Sequence, residues 1–244
     1  MRMTNIRTKS FTLSVYSNGD KHAGRLALVL PGRLDTKDYP HMHSHVDLFA
    51  RHGFFALSFD PPGTWGSEGN IELYTMTNYL KAINELIEHF GNKPTLLMGH
   101  SRGGSMAMLG AITNPYVTHF IAAMSRAGAS ARHSSMKLGD VLTEYRDVPG
   151  HPDERKKFDL PYSFFEDSET YDMREGLKTC RASKLFIAGT RDRIVDPNKV
   201  KEAYEVAAEP KLLEVVNFGH DYRHHPDQIE EVNRLVEKFF KKNP

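Results

Sequence analysis

The stretch Thr95-Leu96-Leu97-Met98-Gly99-His100-Ser101-Arg102-Gly103-Gly104 decides the fold that the sequence predicts. An apolar strand runs directly into Gly-x-Ser-x-Gly, and a helical pattern follows. A serine hydroxyl attacks poorly unless it is held exposed on a tight turn, beside a base and near N–H groups that can bind an oxyanion. Gly99 and Gly103 lack side chains, so strand and helix can approach closely around a strained Ser101. The stretch therefore predicts a serine nucleophile.

Strand and helix patterns alternate on both sides of this stretch. Strand candidates lie at 11–16, 26–30, 54–59, 96–98, 120–124, 185–188 and 212–216. Helical periods cover about 46–52, 76–90, 104–113, 197–208 and 226–242. This alternation predicts an α/β fold, with a mostly parallel central sheet and helices on both faces.

The alternation fails between about residues 128 and 181, a charged stretch with three prolines and several aromatic residues. Because a structureless loop of that length is unusual in a compact domain, we predict a single domain over 1–244 with a short inserted cap at about 128–181. Phe164 and Phe165 in this stretch are candidate substrate-binding residues, although anchoring the cap to the body explains either of them equally well.

Two further loops follow strands and carry the groups that a serine nucleophile needs. Asp192 lies on the loop after the strand at 185–188, and His220 lies on the loop after the strand at 212–216. A histidine can take the hydroxyl proton, and a carboxylate can hold that histidine in the correct tautomer. Asp196 is an alternative acid, although its place before a proline suits a helix N-cap, and Asp60 is a third.

The chain order Ser101, Asp192, His220 resembles the nucleophile, acid and base order of the α/β-hydrolase superfamily. The segment at 189–195 resembles that family's acid loop, and Asp-Pro-Pro-Gly-Thr-Trp-Gly-Ser at 60–67 resembles its Asp-x-Pro-Gly-x-Gly-x-Ser loop. The resemblance covers nearly the whole chain and implies an α/β-hydrolase fold with a serine esterase or lipase-like activity. An insert of this size is also similar to that of small feruloyl or cinnamoyl esterases and monoacylglycerol lipase-like members.

The same resemblance implies an oxyanion hole, which requires two N–H groups aimed at one point. Arg102 follows the nucleophile and should supply one backbone N–H. Arg33 should supply the other, with Leu34 as the alternative donor. The family's usual histidine in this His-Gly-x loop is replaced here by Pro31.

The implied function is hydrolysis of carboxylic esters of small to medium size through an acyl-enzyme intermediate, with a small-molecule ester as the partner. The same three residues also serve thioesterases, amidases, peptidases and carbon–carbon bond hydrolases, so these activities stay open. Relatives with an aspartate nucleophile are disfavoured because this chain has Ser101. A non-catalytic small-molecule receptor on the same fold is the alternative of another class.

Three arginines, Arg33, Arg102 and Arg126, follow strands that should end near one another. If their side chains turn toward the pocket, they favour a carboxylate-bearing substrate, with Arg126 as the candidate binding residue. Solvent exposure or structural ion pairing is the alternative for each of them.

Charge and composition narrow the class of partner. The 32 Lys and Arg residues balance 31 Asp and Glu residues to a formal charge of +1, so no net field attracts nucleic acid. The single cysteine and the polar N-terminus lead us to expect a cytoplasmic protein, and no apolar segment approaches the length of a membrane span. The oligomeric state stays open, a homodimer included.

His41, His43 and His45 alternate along the chain and are candidate metal ligands. No nearby cysteine or carboxylate completes a good ligand set, so we predict no metal. The loop at 31–33 lacks the glycine-rich pattern that binds a dinucleotide phosphate, so we predict no cofactor.

Overall fold

The computed structural model of the chain describes residues 2–129 and 136–242. The strands are β1 (Arg2–Arg7), β2 (Thr12–Asn18), β3 (Leu26–Leu30), β4 (Phe55–Phe59), β5 (Thr95–His100), β6 (Val117–Ala123), β7 (Val141–Val148), β8 (His151–Pro161), β9 (Ser183–Gly189) and β10 (Lys211–Val216). The α-helices are α1 (Pro40–Arg51), α2 (Met76–His89), α3 (Arg102–Thr113), α4 (Tyr162–Glu169), α5 (Arg174–Leu177), α6 (Pro197–Val206) and α7 (Pro226–Lys242). Short 3₁₀ turns lie at Ile71–Leu73 and Tyr222–His224.

Eight strands form one sheet in the order β1-β2-β4-β3-β5-β6-β9-β10. Neighbours from β4 to β10 pair in parallel, whereas β1 and β2 add an antiparallel edge. Parallel strands end at the same edge of the sheet, so the loops after β3, β5, β6, β9 and β10 gather there. The predicted mostly parallel sheet is confirmed.

Both faces of the sheet are covered, as predicted. Successive residues of β3 pack into different clusters, Leu28 with α2 and α3 and Val29 with α1 and α7. Burial on both faces explains why the strand is a continuous apolar run, with all five of its residues buried. Within the described ranges, every helix is too short or too polar to cross a lipid bilayer.

Two elements differ from the sequence prediction. Helix α1 begins at Pro40, whereas the sequence predicted a start near residue 46. The prediction missed the first turns because they bury the polar side chains of His41 and His45, which give no apolar pattern. The edge strand β1 pairs only with β2, and its polar side chains give no apolar pattern.

The stretch predicted as a cap contains an antiparallel hairpin, β7 and β8, followed by α4 and α5; its residues 130–135 lie outside the described residues. Most of the hairpin is polar, and only Phe158 and Leu160 of β8 are buried. These two side chains form a small core cluster with Leu34, Phe164 and Phe165, so the hairpin and α4 pack on the loop after β3.

Candidate active site

Ser101 lies at the sharp turn between β5 and α3 with φ 54° and ψ −122°, a region that residues with a side chain rarely adopt. The turn depends on close backbone approach. A Cβ at Gly99 would lie 2.1 Å from the Gly103 carbonyl carbon, and a Cβ at Gly103 would lie 2.0 Å from the Leu30 oxygen. The glycines at these two positions therefore permit the strained conformation that turns the Ser101 side chain out of the sheet edge.

Asp192 and His220 are joined directly on the loops after β9 and β10. Nδ1 of His220 lies 2.8 Å from Asp192 Oδ2, with side chains that are 10% and 1% exposed. Oδ1 of Asp192 accepts the backbone N–H groups of Ile194 and Val195 at 2.8 and 2.9 Å. Burial alone would raise the pKa of Asp192, but the hydrogen bond with His220 and those from the two N–H groups hold it below its usual value. An ionised carboxylate thus fixes the ring of His220.

Ser101 and His220 line the same cavity, whose volume is about 560 Å³. The described residues contain no direct hydrogen bond between Ser101 Oγ and His220. His100 packs beside His220 with ring centres 4.6 Å apart. The nucleophile and base candidates thus line one cavity without a hydrogen bond between them.

The two alternative acids, Asp196 and Asp60, form hydrogen bonds with groups other than His220. Asp196 caps α6, where its side chain accepts the Asn198 N–H at 2.9 Å. Asp60 accepts hydrogen bonds from the hydroxyl of Thr36 at 2.7 Å and the N–H groups of Lys37 and Gly66 at 2.9 and 3.1 Å. Neither carboxylate is bonded to His220.

The loop after β3 presents the two candidate oxyanion donors on that side. The N–H of Leu34 donates to the Tyr74 hydroxyl at 3.0 Å, so this donor is already engaged. Among the hydrogen bonds of the described residues, none uses the backbone N–H of Arg33 or that of Arg102. Arg33 and Arg102 both line the cavity with Ser101.

The cavity wall combines apolar side chains with an excess of basic ones. The predicted binding residues Phe164 and Phe165 are buried and line it, and Arg126 lines it with its guanidinium half-buried. Burial, followed by repulsion from Arg33, lowers the pKa of Arg126. The remaining lining residues include Met76, Ser105, Ser168, Tyr171, Met173, Ile194 and Val195.

Residues of the hairpin close one side of the cavity by ion pairs and hydrogen bonds. Arg33 pairs with Glu144 of β7 at 2.6 Å. The guanidinium of Arg146, also on β7, donates to the Arg33 carbonyl from Nη2 at 2.9 Å and from Nε at 3.2 Å. Arg223, three residues after His220, makes a two-pronged pair with Asp147 at 2.8 and 2.9 Å.

The three histidines considered as a metal site lie on α1 and do not converge. Nδ1 of His45 bonds Asn233 at 2.7 Å and its Nε2 bonds Tyr222 at 3.0 Å, whereas His43 stacks on Tyr16. Burial lowers the pKa of His45 to about 4, and the hydrogen bond with Asn233 acts against this shift. His45 is therefore a neutral core residue.

A different set of potential ligands does converge: atoms of Asp35, His41 and His100 all lie within 4.8 Å of one another and are buried. Both ring nitrogens of His41 lack a hydrogen-bond partner among the described residues. Burial lowers the pKa values of His41 and His100, which keeps both rings neutral.

Sequence reasoning did not single out several residues of the cavity. His100 directly precedes Ser101 in the Gly-x-Ser motif, so the sequence could have predicted that it lies beside the nucleophile. No sequence pattern indicated Glu144, Arg146 or Arg223, because their contacts join segments that are far apart in the chain. Tyr74 supports the loop after β3, and the sequence did not indicate this role because its partner Leu34 lies 40 positions earlier.

Three solved structures illustrate the similarity of this fold to known proteins. Est1E from Butyrivibrio proteoclasticus, in a complex with ferulic acid, has a TM-score of 0.78 and 17% identity over 98% of each chain. Alpha/beta hydrolase domain-containing protein 10 from mouse has a TM-score of 0.79 and 17% identity over 100% of each chain. A thioesterase domain from the curacin biosynthetic pathway has a TM-score of 0.71 and 13% identity over 98% of this chain and 99% of its own. At such identities the likeness shows the fold alone.

No curated protein sequence matches the chain significantly. The model of the alpha/beta hydrolase fold family matches residues 28–159, a stretch that carries the elbow, the loop after β3 and part of the hairpin segment. Since this match spans more than half of the chain and the sheet order and helix placement agree with it, the protein belongs to the alpha/beta hydrolase family.

Proposed function

We propose that this protein is a serine hydrolase that cleaves carboxylic esters of small to medium size. Ser101 Oγ attacks the acyl carbonyl while His220 Nε2 takes its proton, and Asp192 stabilises the resulting imidazolium. The backbone N–H groups of Arg33 and Arg102 bind the oxyanion. His220 then gives its proton to the departing alcohol as the carbon–oxygen bond breaks. A water deprotonated by His220 hydrolyses the acyl-enzyme, and no cofactor takes part.

One observation carries this proposal: a serine in the strained elbow conformation shares a cavity with a histidine that a buried carboxylate orients at 2.8 Å. A surface serine has no reason to occupy a positive φ, which costs of order 1–3 kcal/mol and persists only where the surroundings enforce it. The buried His–Asp pair supplies the tautomer that leaves Nε2 free to accept a proton.

The missing Ser101–His220 hydrogen bond is compatible with this mechanism. Catalytic hydrogen bonds are often long before substrate binds and tighten in the complex. Ser101 follows β5 and His220 follows β10, so a small rotation of either side chain changes their separation without moving the sheet. The proposal requires that this contact form once substrate fills the cavity.

The hairpin segment is proposed as a short cap over the same site, with Phe164 and Phe165 as its apolar wall. Both rings are buried and pack with Leu34 beside the candidate oxyanion donor Arg33. This arrangement would exclude water from the acyl group while leaving one side of the cavity open to the leaving alcohol.

A fluorophosphonate probe tests the nucleophile. We expect the probe to label the wild type and Ser17→Ala, a control on β2 outside the cavity, but not Ser101→Ala. The Ser101→Ala change should also lower turnover by about 10⁴-fold or more. Labelling or turnover that survives in Ser101→Ala refutes Ser101 as the nucleophile. A wild type that is neither labelled nor active on any ester instead indicates a binding protein on the same fold.

A substrate panel tests the bond that is cleaved. 4-Nitrophenyl esters of increasing chain length should be hydrolysed with a maximum at short or medium acyl groups. An aryl thioester, an anilide and methyl ferulate belong in the same panel. A specificity constant that is larger for the thioester or the anilide than for the matched ester replaces the ester assignment.

A further inference from the structure

Three buried polar side chains, the Asp35 cluster, lie beside His220 and have no role in the proposed reaction. Asp35 comes from the loop after β3, His41 from the first turn of α1, and His100 from the last residue of β5. One potential ligand atom of each residue lies within 4.8 Å of those of the other two, and all three residues are buried. The ring of His100 connects the cluster to His220, with ring centres 4.6 Å apart.

The two histidines of the cluster form no hydrogen bond through their rings. Nδ1 and Nε2 of His41 and of His100 are all buried, and none has a partner among the described residues. An unpaired polar atom in the interior destabilises the fold, so nearly all such atoms bind the protein, water or an ion. In the neighbouring His45, by contrast, both ring nitrogens are bonded, to Asn233 and Tyr222. The free nitrogens of His41 and His100 therefore indicate a ligand site.

The carboxylate of Asp35 lies between two neighbours and is bonded to neither. Its Oδ2 is 3.9 Å from Nδ1 of His100, and its Oδ1 is 3.9 Å from Nε of Arg146. Both distances exceed hydrogen-bond length. The Asp192–His220 pair, in comparison, closes to 2.8 Å around its shared proton. The gap between Asp35 and His100 is wide enough for an ion between the two groups.

Gly32 provides the space for this carboxylate. A Cβ at Gly32 would lie 2.7 Å from Oδ2 of Asp35, closer than side chains approach in folded proteins. The backbone N–H of Asp35 donates to the Gly32 carbonyl at 3.2 Å, so a short turn fixes the residue. The backbone thus holds the same oxygen that faces His100.

The arginines near the cluster already have carboxylate partners. Arg223 makes a two-pronged pair with Asp147, and Arg146 lies 3.5 Å from Glu144. The carboxylate of Asp35 has no partner at hydrogen-bond distance among the described residues. A buried carboxylate without such partners is costly, and a cation bound between it and two uncharged rings would compensate its charge.

We propose that the Asp35 cluster binds a divalent transition-metal ion, and that Zn²⁺ is the ion its ligands fit. Two imidazoles and one carboxylate suit Zn²⁺, whereas Mg²⁺ and Ca²⁺ take oxygen ligands. An ion equidistant from three atoms 4.8 Å apart lies about 2.8 Å from each (4.8 Å divided by √3), so bonds of about 2.0–2.1 Å require each ligand to move inward by at most about 0.7 Å. Asp35 and His100 line the cavity, which offers a path of entry and a water as the fourth ligand.

The ion is separate from the proposed esterase chemistry. Ser101, His220 and Asp192 complete that reaction without it, and metal binding is measured whether or not the protein hydrolyses an ester. Of the three histidines that alternate along the sequence, only His41 belongs to the cluster. Its partners come from other segments of the chain, which is why the sequence did not predict the site.

A binding titration tests the inference. Protein is freed of metal with EDTA, the EDTA is removed, and Zn²⁺ is added in competition with a fluorescent chelator of known affinity. The wild type should bind one ion per chain with a Kd below about 1 μM, and excess Mg²⁺ should not displace it. X-ray absorption at the zinc edge should show two imidazole ligands at about 2.0–2.1 Å. Weaker binding, or none, overturns the inference and leaves ordered water as the partner of the ring nitrogens.

Variants locate the ion. His41→Phe retains a ring of similar size, and Asp35→Asn retains the shape of the carboxylate. Each should weaken Zn²⁺ binding by at least about 100-fold, since even a group behind a ligand is worth about 10- to 100-fold. His43→Gln, on the same helix but outside the cluster, is the matched control and should bind as the wild type does. Wild-type affinity in either Asp35→Asn or His41→Phe assigns Zn²⁺ to other histidines and overturns the inference.

Urea unfolding separates loss of the site from loss of the fold. Because the His41 ring has no hydrogen bond to lose, metal-free His41→Phe should be at least as stable as the metal-free wild type. Excess Zn²⁺ should raise the unfolding midpoint of the wild type and of His43→Gln, but not that of His41→Phe. If one cluster variant fails to fold, the other decides. An equal rise in His41→Phe contradicts the proposed site.

Discussion

The hydroxyl of Tyr74 accepts the backbone N–H of Leu34 at 3.0 Å, and Tyr74 is one of the side chains that hold the candidate oxyanion loop. Tyr74 is fully buried, and burial raises the pKa of its hydroxyl, which therefore remains protonated. Leu34 itself has a φ of 59°, a strained conformation for a leucine. The bond engages the N–H of Leu34 and leaves the N–H of Arg33 as the proposed oxyanion donor on this loop.

Tyr74→Phe tests this support. The ring stays stacked on Phe164, but the buried N–H of Leu34 loses its acceptor, so the free energy of unfolding should fall by about 1–3 kcal/mol. Complete loss of one oxyanion donor lowers kcat by about a hundredfold to a thousandfold. The change displaces the Arg33 N–H without removing it, so ester turnover should fall by no more than about tenfold. Urea unfolding and kcat measure the two effects. Unchanged values for both show that the loop holds its shape without this bond.

Asp192→Asn should lower kcat by about 10³- to 10⁴-fold, because an amide stabilises neither the required tautomer nor the imidazolium of His220. The change retains the shape of the side chain. Asp196→Asn is the matched control, since asparagine caps helices as well as aspartate does and should preserve kcat. Full activity in Asp192→Asn together with loss in Asp196→Asn makes Asp196 the acid.

The buried His45 makes stability depend on pH. Its pKa of about 4 in the folded chain lies below the ordinary value near 6.5, so the unfolded chain binds more protons between these values. Its stabilisation is therefore complete above about pH 6.5 and is lost as the pH falls toward 4. From pH 7.5 to pH 5 this group alone should remove about 2 kcal/mol of unfolding free energy. His41 and His100 act in the same direction.

Urea unfolding of His45→Gln at both pH values should show a smaller decrease than the wild type. His22→Gln, at an exposed turn, is the matched control and should keep the wild-type decrease. If the unfolding free energy decreases equally in all three proteins, groups other than His45 cause the pH dependence.

Metal removal tests the cofactor-free mechanism. After dialysis against EDTA, kcat/KM for a 4-nitrophenyl ester should stay within about twofold of the untreated value, because the proposed chemistry uses only Ser101, His220 and Asp192. Metal analysis by mass spectrometry accompanies the assay. Loss of turnover that Zn²⁺ restores instead makes the ion that we propose at Asp35, His41 and His100 part of the reaction.

Asp147→Asn should loosen the hairpin. The paired hydrogen bonds from Arg223 hold the pKa of Asp147 at about 2, so the attachment is complete above its ordinary value near 4 and is lost as the pH falls toward 2. At pH 7 the variant should exchange the amide hydrogens of β7 and β8 faster and show a higher KM. Asp153→Asn, exposed on β8, is the control. Exchange rates equal to the wild type exclude Arg223 as the anchor.

The central strands were predictable because both of their faces are buried, which leaves an unbroken apolar signal such as Leu26–Leu30. The Asp192–His220 pair could be anticipated from chain order, since parallel strands bring their following loops to one edge of the sheet. The sequence did not indicate the first turns of α1, where the polar side chains of His41 and His45 are buried. In the case of His45, tertiary bonds to Asn233 and Tyr222 replace the apolar contacts that a periodicity search detects.

The hairpin escaped prediction for a related reason. Its strands pair with each other and are largely exposed, so charged residues occupy most positions and only Phe158 and Leu160 mark the buried face. The contacts that matter to the cavity, from Glu144 and Arg146 to Arg33, join residues more than 100 positions apart. Local pattern carries no information about such pairs.

The Arg146 guanidinium holds the carbonyl of Arg33 from the hairpin, and the N–H of the same residue is the oxyanion donor that we propose. Swapping this hairpin for one of another length, an obvious route to new selectivity in an engineered enzyme, would therefore also shift the machinery that sets the rate. In this scaffold, choice of substrate and speed of reaction are expected to change together rather than independently.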